Sequence, residues 1–197
     1  MARTIAKDHD DKRHAILRTA ARIFAAEGYG RASMAAVARA CGISKANIYH
    51  YYPGKEALLF DILDNHLSAL RDRVCGLAFS GADPAAQLRA IMTELLLAYE
   101  GADAEHAVQL NAIAALPENQ QEVLRGYQRD LVRFVRARIS ALVPPGTDRT
   151  DVHSLTMSVF ALVNWHYQWD GDADARARAA YASLMCRTLI GGIGAGR

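Results

Sequence analysis

Residues 33–54 constrain this chain more tightly than any other stretch. Two short windows of small and apolar residues, 34–40 and roughly 45–51, are separated only by Cys41-Gly42-Ile43. Ser33 and Ser44 each precede a window, where a hydroxyl satisfies the free N–H groups of a helix start. Gly42 supplies the positive φ that a tight turn demands, and Pro53-Gly54 closes the second window. A chain capped, turned, capped and broken at this spacing folds there as two crossed helices. Val37, Ile43 and Ile48 converge under the turn as a miniature core, and Ala38 is small enough for the crossing. An ordinary helical hairpin has some of these features. A helix-turn-helix, which presents its second helix to a DNA groove, has all of them.

Charge agrees with that placement. Residues 1–55 hold ten Lys/Arg and four Asp/Glu, and residues 56–197 hold thirteen and seventeen, so a net +2 conceals a basic head on an acidic body. A polyanion is expected to bind one end only. Residues 1–10, with Arg3 and Lys7, read either as an arm for the minor groove or as a solvated tail.

The segment resembles the N-terminal domain of the TetR/AcrR family of transcriptional regulators. The residues that carry the resemblance are Gly28-Tyr29, Ala32-Ser33-Met34, Val37-Ala38, Gly42-Ile43-Ser44-Lys45, Ile48-Tyr49-His50-Tyr51-Tyr52 and Lys55-Glu56-Ala57-Leu58, about a quarter of the chain. Cys41, Asn47 and Tyr52 depart mildly from the family pattern, at positions where alanine, a small residue and phenylalanine are usual. The resemblance implies a DNA contact set of Ser33, Ser44, Lys45, Ala46, Asn47, Tyr49, His50, Tyr51 and Lys55. Chemistry assigns them different tasks. Ser33, Lys45 and Lys55 suit phosphate, and the Asn47 amide can pair with both polar atoms of an adenine edge. Tyr49 and His50 reach backbone or a thymine methyl, and Tyr52 packs the head together.

The rest of the chain reads as helical, with no alternating run that would make a strand. Helices are expected over 11–27, 34–40, 45–51, 55–79, 85–100, 104–115, 117–142, 148–169 and 173–190, followed by a frayed glycine-rich tail. The expectation is an all-α fold of nine helices in two domains. Residues 1–54 form the DNA-binding head, and 55–197 form a six-helix body for effector binding and dimerisation.

One recognition helix reads few base pairs, so a homodimer on a palindromic double-stranded operator is expected. The resemblance places the dimer contact on the last two helices. Val152, Leu155, Val159 and Leu162 make one apolar stripe, with Ala177, Tyr181, Leu184 and Thr188 opposite; a protomer's own core can use the same stripes. For the effector, the candidates are Tyr99, His106, Gln109, Tyr127, Phe160, Asn164 and Tyr167, with Thr156 beside them: apolar walls carrying a few polar tips. Asn164-Trp165-His166-Tyr167-Gln168-Trp169-Asp170-Gly171 is similar to the final helices of members that sense acyl-CoA or phenylacetyl-CoA thioesters. Arg129, Arg133 and Arg136 are the cations available to such a diphosphate.

Other classes fit less well. Seven histidines show no metal-ligand spacing, and no nucleophile-elbow motif is present, so no metal, cofactor or catalytic residue is expected. Cys41, Cys75 and Cys186 are too far apart to read as a disulfide framework, and each suits a small buried apolar site. No apolar run is long enough to span a bilayer and no secretory leader is seen, which points to the cytoplasm. An activator of the same family, or an adaptor that has lost DNA binding, are the remaining alternatives to a ligand-released repressor.

Overall fold

Helices account for every regular element in the computed structural model, which describes residues 2–81 and 83–195, and the side chains of 11–81 and 83–193. Among the described residues nine helices have seven or more residues: α1 (Ala2–Glu27), α2 (Met34–Ala40), α3 (Lys45–Tyr51), α4 (Lys55–Cys75), α5 (Pro84–Ala98), α6 (Asp103–Ala112), α7 (Glu118–Leu142), α8 (Arg149–Asn164) and α10 (Ala175–Ala195). One further turn of helix, α9 (Tyr167–Asp170), and a 3-10 turn at Ile113–Ala115 complete the list. No strand occurs among the described residues.

Three boundaries differ from the sequence expectation. α4 stops at Cys75 rather than 79, because Gly76 follows and a glycine is a poor helix residue. The helix expected over 148–169 ends at Asn164 and resumes for one turn at Tyr167. The final helix runs on through the glycines to Ala195 instead of fraying at 190. The side chains of Arg3 and Lys7, the expected minor-groove arm, lie outside the described residues.

The chain packs as two compact units. The first unit holds the chain up to Leu67 together with Ala104–Arg125; the second holds Ser68–Asp103 and the chain from Gly126 on. α4 and α7 each contribute to both.

In the first unit α1 packs on α2 and α2 on α3. Ile16, Ala20, Phe24, Val37, Ala38 and Ile48 are buried there. In the second unit α5 lies against α10 and α8. α5 buries Leu88, Ile91, Met92, Leu95 and Leu96, the spacing of one helical face, and its C-cap Tyr99 is buried on the same face. Each such side chain contributes about 1.5–3 kcal/mol by leaving water. Asp83 caps this helix, accepting from the N–H groups of Ala85 (2.9 Å) and Ala86 (3.0 Å), and Pro84 sits in the first turn. No described helix is long and apolar enough to cross a membrane. All three cysteines are free; Cys186 is buried, while Cys41 and Cys75 are only half-buried.

Candidate nucleic-acid interface

The helix-turn-helix is built from local chemistry. Ser33 Oγ accepts from the Ala36 N–H (3.1 Å) and opens α2; Ser44 Oγ accepts from the Asn47 N–H (3.1 Å) and opens α3. Between them Gly42 has φ +67°, so the Ile43 N–H reaches back to the Ala38 carbonyl (3.0 Å) and ends α2. This is the left-handed glycine stop of a helix C-terminus. Val37 and Ile48 are completely buried and Ala38 nearly so, as the crossing requires.

α3 is anchored through a single buried side chain, Ile48. Lys45, Ala46, Asn47, Tyr49 and His50 are all exposed on its outer side, and Tyr49 keeps 45% of its surface. Ser33 and Ser44 are exposed as well, and Tyr51 is half-buried. Sequence and structure agree that this helix offers polar side chains that its own fold does not need.

Lys55 is different. Its ammonium donates to the carbonyls of Tyr29 (2.7 Å), Gly30 (3.2 Å) and Ala32 (3.0 Å), and lies 4.5 Å from the centre of the Tyr29 ring. An ammonium has three donors, and all three are engaged. Expected as an open phosphate contact, the ammonium is committed in this structure to the loop carbonyls. Tyr52, expected to pack, is buried, and its hydroxyl donates to Asp61 (2.5 Å). Arg13 donates to that same hydroxyl (3.2 Å) and to Asp61 (2.6 Å). Burial and the Asp61 carboxylate hold the Tyr52 phenol well above its ordinary range.

The candidate effector residues separate. His106 and Gln109 belong to the first unit, buried on α6. The His66 ring, on α4, lies 6.1 Å from that of His106. Burial, and then His106, push His66 down to about 4, with Gln109 acting in the opposite direction. In the second unit Tyr99 is buried and its hydroxyl donates to Asn164 Oδ1 (2.9 Å), with Phe160 half-buried one turn earlier on α8. Burial raises the Tyr99 phenol, so it remains a donor. Thr156 is buried but turns its hydroxyl to its own helix, at the Val152 carbonyl (2.7 Å). Tyr127 lies under the Arg71 guanidinium (4.9 Å), and the Tyr167 hydroxyl accepts from Gln168 (2.5 Å). Arg133 pairs with Asp130 on its own helix (2.9 Å), Arg129 is exposed, and Arg136 lines a hollow of about 250 Å³ with Arg149.

The apolar stripes of the last two helices also divide. Val152 and Val159 point into the second unit's own core and are corrected from dimer residues to core residues. Leu155 and Leu162 instead line an open groove of about 660 Å³ with Met185 and Leu189. Tyr181 is half-buried, donating to the Leu162 carbonyl (2.9 Å), and Leu184 is exposed. Trp165 and Trp169, read in the sequence only as part of the 164–171 segment, keep 63% and 58% of their surface, and Met157, not singled out there, is exposed as well. Their size was the available signal. His166 between them is buried, its ring 4.7 Å from that of Trp169 and 4.6 Å from that of Tyr181.

Comparison with known proteins bears directly on this arrangement. Residues 16–62 match the model of bacterial regulatory proteins of the tetR family, and residues 81–192 match the tetracyclin repressor-like C-terminal domain. The chain belongs to the TetR family. A TetR-family regulator from Bordetella parapertussis is 34% identical, with 90% of this chain and 93% of that one aligned at a TM-score of 0.83. AibR, solved in complex with isovaleryl coenzyme A and operator DNA, is 28% identical over 91% of this chain and 98% of its own, with a TM-score of 0.76. UidR of Escherichia coli, an HTH-type regulator, is 26% identical over 90% of both chains. A shorter match, 34% identical over 43% of this chain, spans 29% of the length of YuxN of Bacillus subtilis. The TetR-family chain is thus a DNA-binding transcriptional regulator, in a family of regulators rather than enzymes.

Proposed function

We propose that this regulator is a cytoplasmic homodimeric repressor that leaves its operator when a small acyl-type effector binds the body. The observation that carries the DNA assignment is the outer side of α3. Lys45, Asn47, Tyr49 and His50 stand exposed together while Ile48 alone holds the helix down. Lys45, Tyr49, His50 and the Ser33 and Ser44 hydroxyls grip the backbone, with Ala46 leaving room for close approach and Tyr51 at the margin. Asn47 reads a base.

For the effector, the Tyr99–Asn164 pair in an otherwise apolar core offers fixed polar groups to one carbonyl, with Phe160 as wall. AibR's complex with isovaleryl coenzyme A supports the acyl class. The second copy covers Leu155, Leu162, Leu184 and the exposed tryptophans, which removes a large apolar area from water.

The test has two arms on an operator selected by the protein from a random duplex pool. Asn47→Ala is expected to relax preference at one base pair per half-site, a discrimination of about 1–3 kcal/mol. Isovaleryl-CoA is expected to release the wild type and not Asn164→Leu. Unchanged base preference in the first arm refutes the reading of α3; equal release of both proteins refutes the effector site.

A further inference from the structure

We infer that Lys55 is a positioning residue for DNA binding: it holds the loop that feeds the helix-turn-helix in register and does not itself grip phosphate. The inference deepens the reading of the α3 face given above and rests on it. Its basis is the three-carbonyl cradle at Tyr29, Gly30 and Ala32, with Nζ donating at 2.7, 3.2 and 3.0 Å.

The loop leaves α1 at Gly28, whose φ of +81° reverses the chain, and the N–H groups of Arg31 (3.2 Å) and Ala32 (3.1 Å) close on the Gly28 carbonyl. Those bonds shape the loop internally. Lys55 ties the loop to α4 with three hydrogen bonds. The Tyr29 ring adds a second attachment, stacked edge-on to Phe24 (5.3 Å, 87°) and faced by the ammonium at 4.5 Å. Ala32 is buried, and the next residue is Ser33, the cap of α2. A shift of the loop therefore moves α2. The same shift reaches α3 through the buried contact of Val37 and Ala38 with the second helix and through the three-residue turn.

Moving the ammonium to a phosphate would leave three carbonyls without their donor. The cradle also discriminates between cations. At Lys55 three carbonyls converge on one nitrogen, which suits a compact ammonium; a guanidinium spreads its donors over three nitrogens in a plane and cannot put three on a single point. A phosphate, in contrast, is bound as well or better by arginine. Lys55→Arg therefore separates the two roles while leaving the net charge alone.

The experiment uses the full chain, the operator selected from a random pool, and a random duplex of equal length. Lys55→Arg is expected to weaken operator binding about tenfold or more, the loss of one or two well-made hydrogen bonds. Random-duplex affinity and the dependence of binding on salt should stay as in the wild type, because no phosphate contact is lost. Tyr29→Leu should move operator affinity the same way by a smaller factor, and it serves if the arginine variant does not fold. Operator binding by Lys55→Arg within about twofold of wild type overturns the inference, as does an equal loss on both duplexes. Asn47→Ala run alongside keeps the underlying reading separate: if that variant behaves as wild type, the α3 assignment fails while the Lys55 result still stands or falls by itself.

Discussion

The two units solve a shared problem with the same device at different depths. In the first, the Lys55 ammonium holds three carbonyls of one loop and remains half-buried. In the second, the Arg178 guanidinium donates to the carbonyls of Ala173 (2.9 Å), Leu96 (3.3 Å) and Gly171 (2.7 Å), with the Asp103 carboxylate at 3.8 Å. Arg178 retains 1% of its surface. A buried cation with three of its five donors on backbone carbonyls ties α10 to the end of α5 and to the loop before it. The first unit spreads its anchoring over several modest devices: two serine caps, the Lys55 cradle and the Arg13–Tyr52–Asp61 network. The lesson is that the second unit should fail at one point and the first should weaken by degrees.

The sharpest way to break that contrast is Arg178→Met. Removing one member of a buried, matched set costs about 3–5 kcal/mol, mostly through the carbonyls and carboxylate left behind. Urea unfolding should show this loss; a change below about 1 kcal/mol would mean the clamp is slack and the contrast false.

Acid probes the first unit. His66 is held near 4 when folded, against about 6.5 when unfolded, so between those values the unfolded chain binds more protons. Its neutral form contributes fully above the unfolded value, and stability falls as pH drops through the window, by up to about 3 kcal/mol at its acid end. His66→Gln should flatten the urea midpoint between about pH 7 and pH 5; an unaltered slope would acquit the histidine. The smallest effect belongs to Ser44→Ala, which removes one cap and should cost about 1 kcal/mol in thermal unfolding. A loss as large as that of Arg178→Met would show that the first unit also depends on a single point.

What could be read from sequence follows the range of the interactions. The caps at Ser33 and Ser44, the glycine turn at Gly42 and the burial of Val37, Ala38 and Ile48 are all decided within a few residues, and the sequence displays them. Lys55 is the opposite case. A lysine at a helix start looks solvated, and its partners at Tyr29–Ala32 lie more than twenty residues away. Tyr52 was legible as a packing residue, while its partners Arg13 and Asp61 were not. The break after Asn164 had no local warning, since no glycine or proline interrupts 164–170. There the His166 ring lies buried against those of Trp169 and Tyr181, partners that local sequence does not display. The stripe on α8 had the right spacing, but periodicity alone does not say which face meets the protomer's own core, and Val152 and Val159 meet it.

The chain has two tryptophans, Trp165 and Trp169, and both stand exposed within five residues at the end of α8. All of its indole fluorescence therefore originates from a single spot. A blue shift on raising protein concentration would report that spot leaving water, and a shift on adding acyl thioester would report movement there. The molecule carries its own optical probe at the surface proposed for its second copy, and Trp165→Phe would leave Trp169, its ring tilted against that of His166, as the sole emitter.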